Sequence, residues 1–78
     1  MDTASLGVTV GANVLRRRRL AEMDQTVLAR TAGIDRAHLW RIETGRCQNL
    51  ELDTVAALAA ALGCRVDDLL DARAESAA

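Results

Sequence analysis

Seventy-eight residues, half of them hydrophobic, carry ten basic and eleven acidic side chains for a net charge of −1, with no proline and a lone tryptophan as the only aromatic. A chain of this size is expected to form one domain with a modest core, which excludes a second, catalytic domain or a ligand-sensing one. Its alanine- and leucine-rich composition predicts an all-α fold of short amphipathic helices, and Cys47 and Cys64 form neither a CxxC pair nor a disulfide framework. The expected compartment is therefore the cytosol, with reduced thiols. "MDTASLGVTVG" lacks a basic start followed by a long apolar run, and no stretch is long enough to span a bilayer, so neither a signal peptide nor a membrane anchor is expected.

Net charge alone is silent about nucleic acid, but its distribution is polarised. Through Arg46, eight arginines face five acids, a balance of +3; from Cys47 onward, two arginines face six acids, a balance of −4. A basic front turned to DNA and an acidic rear fit this asymmetry, as do scattered solvated charges.

Residues 1–8 carry little pattern and read as a flexible N-terminal arm, with the domain itself at 9–71. Thr9 is the candidate N-cap of a first helix over "VGANVLRRRRLAE", which sets Val10, Val14 and Ala21 on one face and wraps Arg16 to Arg19 around the rest. Asp24 caps a second helix, "QTVLARTA", buried through Val27, Leu28, Ala29 and Ala32. Gly33 ends it, because a tight turn after a helix needs the left-handed backbone that glycine reaches without strain, and Ile34 plugs the corner. Asp35 caps a third helix, "RAHLWRIET", with Leu39 and Ile42 inward and Arg36, Ala37, Trp40 and Arg41 outward.

Gly45 closes the third helix and "RCQNLE" is a loop. A fourth helix starting near Leu52 repeats apolar residues at spacings of three and four (Leu52, Val55, Leu58, Ala59, Leu62) and is capped by Gly63. The last helix, "VDDLLDA", places Asp67 and Asp68 where negative charge suits the helix dipole, and residues 72–78 read as a frayed tail. Val66, Leu69 and Leu70 offer an apolar surface after the core is complete and are the expected dimer interface.

With Gln25 as the first position of a twenty-residue window, Ala29 falls fifth, Gly33 ninth, Ile34 tenth, Leu39 fifteenth and Ile42 eighteenth. Two helices crossing steeply need a small side chain where their backbones approach, a glycine at the bend and branched plugs between them. This is the steric pattern of a helix-turn-helix.

Together with "MDQTVLA", "RIETG", "LDTVAALAAALG" and "VDDLL" in this order, the chain resembles the Cro and phage-repressor helix-turn-helix regulators, also called xenobiotic-response-element-like, over Val10 to Leu70. The resemblance implies a compact five-helix, lambda-repressor-like domain that docks its third helix in the DNA major groove, as a homodimer on a two-fold symmetric operator. It further implies that Gln25 and the amide end of the second helix meet a phosphate, and that Arg18 both approaches phosphate and pairs with Glu43. Arg36, Ala37 and Arg41 fall at base-reading positions, where arginine suits guanine and the alanine methyl suits thymine. Thr44, Arg46 and Gln48 fall where the following loop tracks the DNA backbone. Trp40, on the same outer face, either stacks on a sugar or thymine methyl or simply shields the third helix. The loop before the fourth helix is one residue longer than usual and lacks its proline, Arg65 replaces a capping serine or threonine, and Leu15 and Leu20 stand at usually polar positions.

Other chemistry is not expected. His38 has no cysteine or acid at ligand spacing, so no metal site and no cofactor are predicted. Cys64 suits buried packing, Cys47 lies in the loop, and no acid pair, nucleophile with base or glycine-rich phosphate loop marks an enzyme. The second class consistent with the sequence is a protein-binding one, an antitoxin sequestering its toxin or an adaptor.

Overall fold

The computed structural model describes residues 3–73, with side chains from Leu6 onward. Five helices follow in order: α1 (Thr3–Leu20), α2 (Gln25–Ala32), α3 (Arg36–Glu43), α4 (Leu52–Leu62) and α5 (Val66–Leu70), with no strand among the described residues. No helix among them is long and apolar enough to cross a membrane.

The first helix begins at Thr3 rather than after Thr9, so Thr9 is an interior helical residue and not a cap. Of the arm expected at residues 1–8, Met1 and Asp2 lie outside the described residues, as do residues 74–78 of the expected tail. The extension follows from tertiary contact that no local pattern announces. Val8 lies 3.2 Å from where a Cβ on Gly45 would stand, Gly7 faces the Cys47 carbonyl, and Leu6 and Val10 border the same groove as Leu50 and Val55. Such packing, rather than propensity, stabilises a helical start that includes Thr3, Ser5, Gly7 and Thr9. At its other end Ala21 is exposed and outside the helix, not on its buried face.

Four helices end in the same way. Ile34 N donates to Ala29 O and Gly33 N to Arg30 O; Arg46 N to Arg41 O and Gly45 N to Ile42 O; Cys64 N to Ala59 O and Gly63 N to Ala60 O. These paired bonds are Schellman closures, each with glycine at the left-handed position. The end of α1 makes the same pair, Met23 N to Arg18 O and Glu22 N to Arg19 O, but with Glu22 at a φ of 54°.

The core gathers Val10 and Val14 of α1, Leu28 and Ala29 of α2, Leu39 and Ile42 of α3, Val55, Leu58 and Ala59 of α4, and Leu69 of α5. Helix α1 packs on α3 and α5, and α4 packs on α2 and α5. Val27, expected to be buried, is exposed, because the inward stripe of α2 runs through Leu28 and Ala29. Leu52 is likewise exposed at the first position of α4. Leu69, expected on a dimer surface, is fully buried in the chain's own core, so its side chain is not available to a partner.

Two residues that the sequence reading passed over hold α1 in place. A Cβ on Gly11 would collide with the carbonyl oxygen of Ile42, so only glycine lets α1 come this close to the end of α3. Asn13 is fully buried and its amide donates to Leu69 O at 2.8 Å and to Asp71 O at 3.1 Å, satisfying carbonyls at the end of α5. At the start of α5, Asp68 Oδ2 accepts from Arg65 N at 2.8 Å, so the acid closes the first turn without a capping hydroxyl at Arg65.

Candidate nucleic-acid interface

The corner between α2 and α3 is built from residues chosen for size. Ala29 is buried where the helices approach, Gly33 bends the chain at a φ of 77°, and Ile34 packs against the core beside it. Asp24 caps α2, its Oδ1 accepting from Val27 N at 2.9 Å. Asp35 occupies the equivalent place before α3 in extended backbone, but its side chain makes no capping bond. Leu39 and Ile42 turn inward, and Arg36, Ala37, Trp40 and Arg41 stay exposed. One face of α3 is thus spent on the core, and the other is free and basic.

Glu43, the last residue of α3, fixes the helix from below. Its side chain is 2% exposed and accepts from Arg18 Nε at 2.7 Å, from Arg18 Nη2 at 3.1 Å and from Gln25 Nε2 at 2.8 Å. Arg18 also donates from Nη1 to Met23 O at 2.9 Å. One carboxylate therefore ties α3 to both α1 and α2, through a bidentate pair that neutralises its buried charge.

This network engages two residues expected at phosphate, one of which, Arg18, was also expected to pair with Glu43 and does so. The Arg18 side chain is only 13% exposed, its donors taken up by Glu43 and Met23 O, and the half-buried Gln25 side chain donates from Nε2 to Glu43. Asp24 takes the amides of Val27 and Leu28, which leaves the backbone amides of Gln25 and Thr26 at the open end of α2. The Thr44 hydroxyl donates to Trp40 O at 2.8 Å, within its own helix end. Gln48 borders a shallow apolar groove with Leu6, Val10, Leu50, Leu52, Val55 and Leu70, to which no residue of α3 contributes. Arg46, in contrast, comes back onto α3: its guanidinium carbon lies 5.0 Å from the centroid of the Trp40 ring. The structure thus brings Arg36, Ala37, Trp40, Arg41 and Arg46 to the exposed side of α3 and its end, and Gln48 to the groove.

The remaining candidates carry no competing chemistry. Cys47 and Cys64 are free and half-buried against the core, and burial pushes the Cys64 thiol above its ordinary pKa despite the nearby Arg17. No three His, Cys, Asp or Glu among the described residues gather as a metal site.

Known proteins share this fold. The family model of the Cro/C1-type helix-turn-helix DNA-binding domain matches residues 13–75. No curated protein matches the chain. Among solved structures, it is similar to a hypothetical transcription factor, NHTF, from Neisseria (30% identity, TM-score 0.84, covering 99% of this chain and 87% of that one). It is also similar to the restriction-modification controller protein C.AhdI from Aeromonas hydrophila (28% identity, TM-score 0.75, 81% and 94% covered). A third is the clp gene regulator ClgR from C. glutamicum (27% identity, TM-score 0.80, 94% of each chain covered). With residues 13–75, most of its length, matched, the chain belongs to the Cro/C1-type helix-turn-helix DNA-binding family, a non-enzymatic family of transcription regulators.

Proposed function

We propose that this DNA-binding regulator is a sequence-specific repressor or autoregulator that works as a homodimer and reads a palindromic operator with α3. The observation that carries the reading is the division of α3 into two faces: Leu39, Ile42 and Glu43 buried, Arg36, Ala37, Trp40 and Arg41 exposed. Arg36 and Arg41 then donate to base edges, guanine above all, and Ala37 offers a methyl to thymine. Arg46 and the open amides of Gln25 and Thr26 meet phosphates; Thr44 joins them only by turning its hydroxyl from Trp40 O, and Gln48 only by reaching out from the groove it borders.

A single recognition helix reads a few base pairs, so discrimination needs two. The partner is a second copy, seated on the groove edged by Leu52, Leu70 and Leu6, with half-buried Val66 contributing at most its edge. Leu69 takes no part. The likeness to a restriction-modification controller protein and to a clp gene regulator supports control of transcription, which we read as promoter occupancy in the cytosol. A protein-binding role toward a partner such as a toxin has one observation in its favour, the 72% exposed Leu20 at the end of α1.

Selection of bound sites from random duplexes tests the reading. Enrichment of a two-fold symmetric site is the expected result, and failure to retain any duplex would leave the protein-binding role in its place.

A further inference from the structure

The Schellman turn at Gly45 reverses the chain so that Arg46 N donates to Arg41 O at 2.8 Å, and the Arg46 side chain returns over the last turn of α3. There its guanidinium carbon sits 5.0 Å from the centroid of the Trp40 ring, within cation–π range. No carboxylate pairs with Arg46 among the described residues, unlike Arg18, which Glu43 holds. Arg46 is exposed and Trp40 is 44% exposed, so the contact lies on the surface beside the outer face of α3.

A solvated arginine loses rotamer freedom when it grips a phosphate. Indole is the strongest of the aromatic platforms for a cation, and it holds the guanidinium without neutralising its charge. A carboxylate in its place would position Arg46 equally well and cancel its attraction to DNA. We infer that Trp40 is a positioning residue for Arg46: the indole pre-orders the guanidinium at the end of α3, and the two side chains act on the DNA backbone as one unit. This rests on the DNA-binding reading above and assigns Trp40 a role other than base reading or shielding.

The test is a double-mutant cycle on a selected duplex and a scrambled one across a salt series. Trp40→Ala is expected to weaken both duplexes by the same factor, about twofold to fivefold, and to leave the salt dependence unchanged, because the charge is still present. Arg46→Ala is expected to weaken both and to reduce the salt slope by about one. Trp40→Ala added to Arg46→Ala is expected to cost nothing more, and Trp40→Phe to recover most of the loss. Trp40 is the only tryptophan, so its emission reads the contact without DNA, and Arg46→Ala is expected to shift it.

A changed ratio between the duplexes in Trp40→Ala would show base reading and overturn the inference. So would unchanged affinity with a lower melting temperature, independent losses in the double variant, or unaltered emission in Arg46→Ala. Wild-type protein that binds neither duplex sinks the DNA reading and this role with it, whereas wild-type binding with independent losses sinks this role alone.

Discussion

Arg18 and Glu43, twenty-five positions apart, meet through two hydrogen bonds of 2.7 and 3.1 Å and close the recognition helix against the first. Removing one partner leaves the other charge buried and unpaired. Glu43→Ala is therefore expected to cost about 3–5 kcal/mol in urea unfolding, and to lower DNA affinity through displacement of α3. Glu43→Gln, which keeps an acceptor for Arg18, should cost less. Equal stability of Glu43→Ala and wild type would show that the pair contributes nothing.

Base reading and backbone anchoring separate in binding. Arg36→Ala and Arg41→Ala should each cost about 1–3 kcal/mol on the selected site and much less on scrambled DNA. If neither changes the specific-to-scrambled ratio, α3 is not the reading element.

Gly11→Ala has an expectation opposite in sign to helix propensity. In an exposed helix interior alanine is better than glycine by about 1 kcal/mol, but here the methyl meets the Ile42 carbonyl, a backbone atom with little room to yield. A loss of about 1–3 kcal/mol in thermal unfolding is expected, and a gain would mean that α1 slides away from α3 at no cost.

Glu22→Gly should do the reverse. Glu22 is the non-glycine residue in the four Schellman closures, at a φ of 54° that its side chain disfavours. Relief of about 1 kcal/mol is expected, seen as a melting temperature about 4–8 °C higher. An unchanged melting temperature would show the turn to be unstrained.

The proposed dimer predicts that Leu52→Glu with Leu70→Glu yields monomers in sedimentation while the helical spectrum persists, since both side chains are exposed in the protomer. A wild-type protein that sediments as a monomer both free and on DNA would remove the dimer altogether.

What the sequence made legible was what short-range sterics dictate. Ala29, Gly33 and Ile34 stand at the corner because any steep helix crossing needs their sizes, and Asp24 caps α2 through a bond to a residue three positions on. Apart from the Arg18–Glu43 pair, which the resemblance implied, contacts set by long-range packing were hidden. The start of α1 depends on a loop forty residues downstream, and a glycine inside a helical run reads as a weakness until Ile42 is seen against it. Leu69 looked available because nothing local says which side of a five-residue helix faces Asn13. At the site, the outer face of α3 was readable from its period and the Arg18–Glu43 pair followed from the resemblance, whereas the bond from Gln25 to the same carboxylate did not.

Helix α1 carries Asn13 to the end of α5 and Arg18 to the end of α3, five residues apart, or about 7.5 Å of helical rise. The same rigid rod therefore carries both the reading element and the terminal helix beside the proposed dimer groove. In an assembled pair, the gap between the two recognition helices would be inherited from this rod rather than from a hinge. An operator with base pairs inserted at its centre could not be met by bending within a protomer, so tolerance to half-site spacing would reside in the DNA or at the subunit boundary.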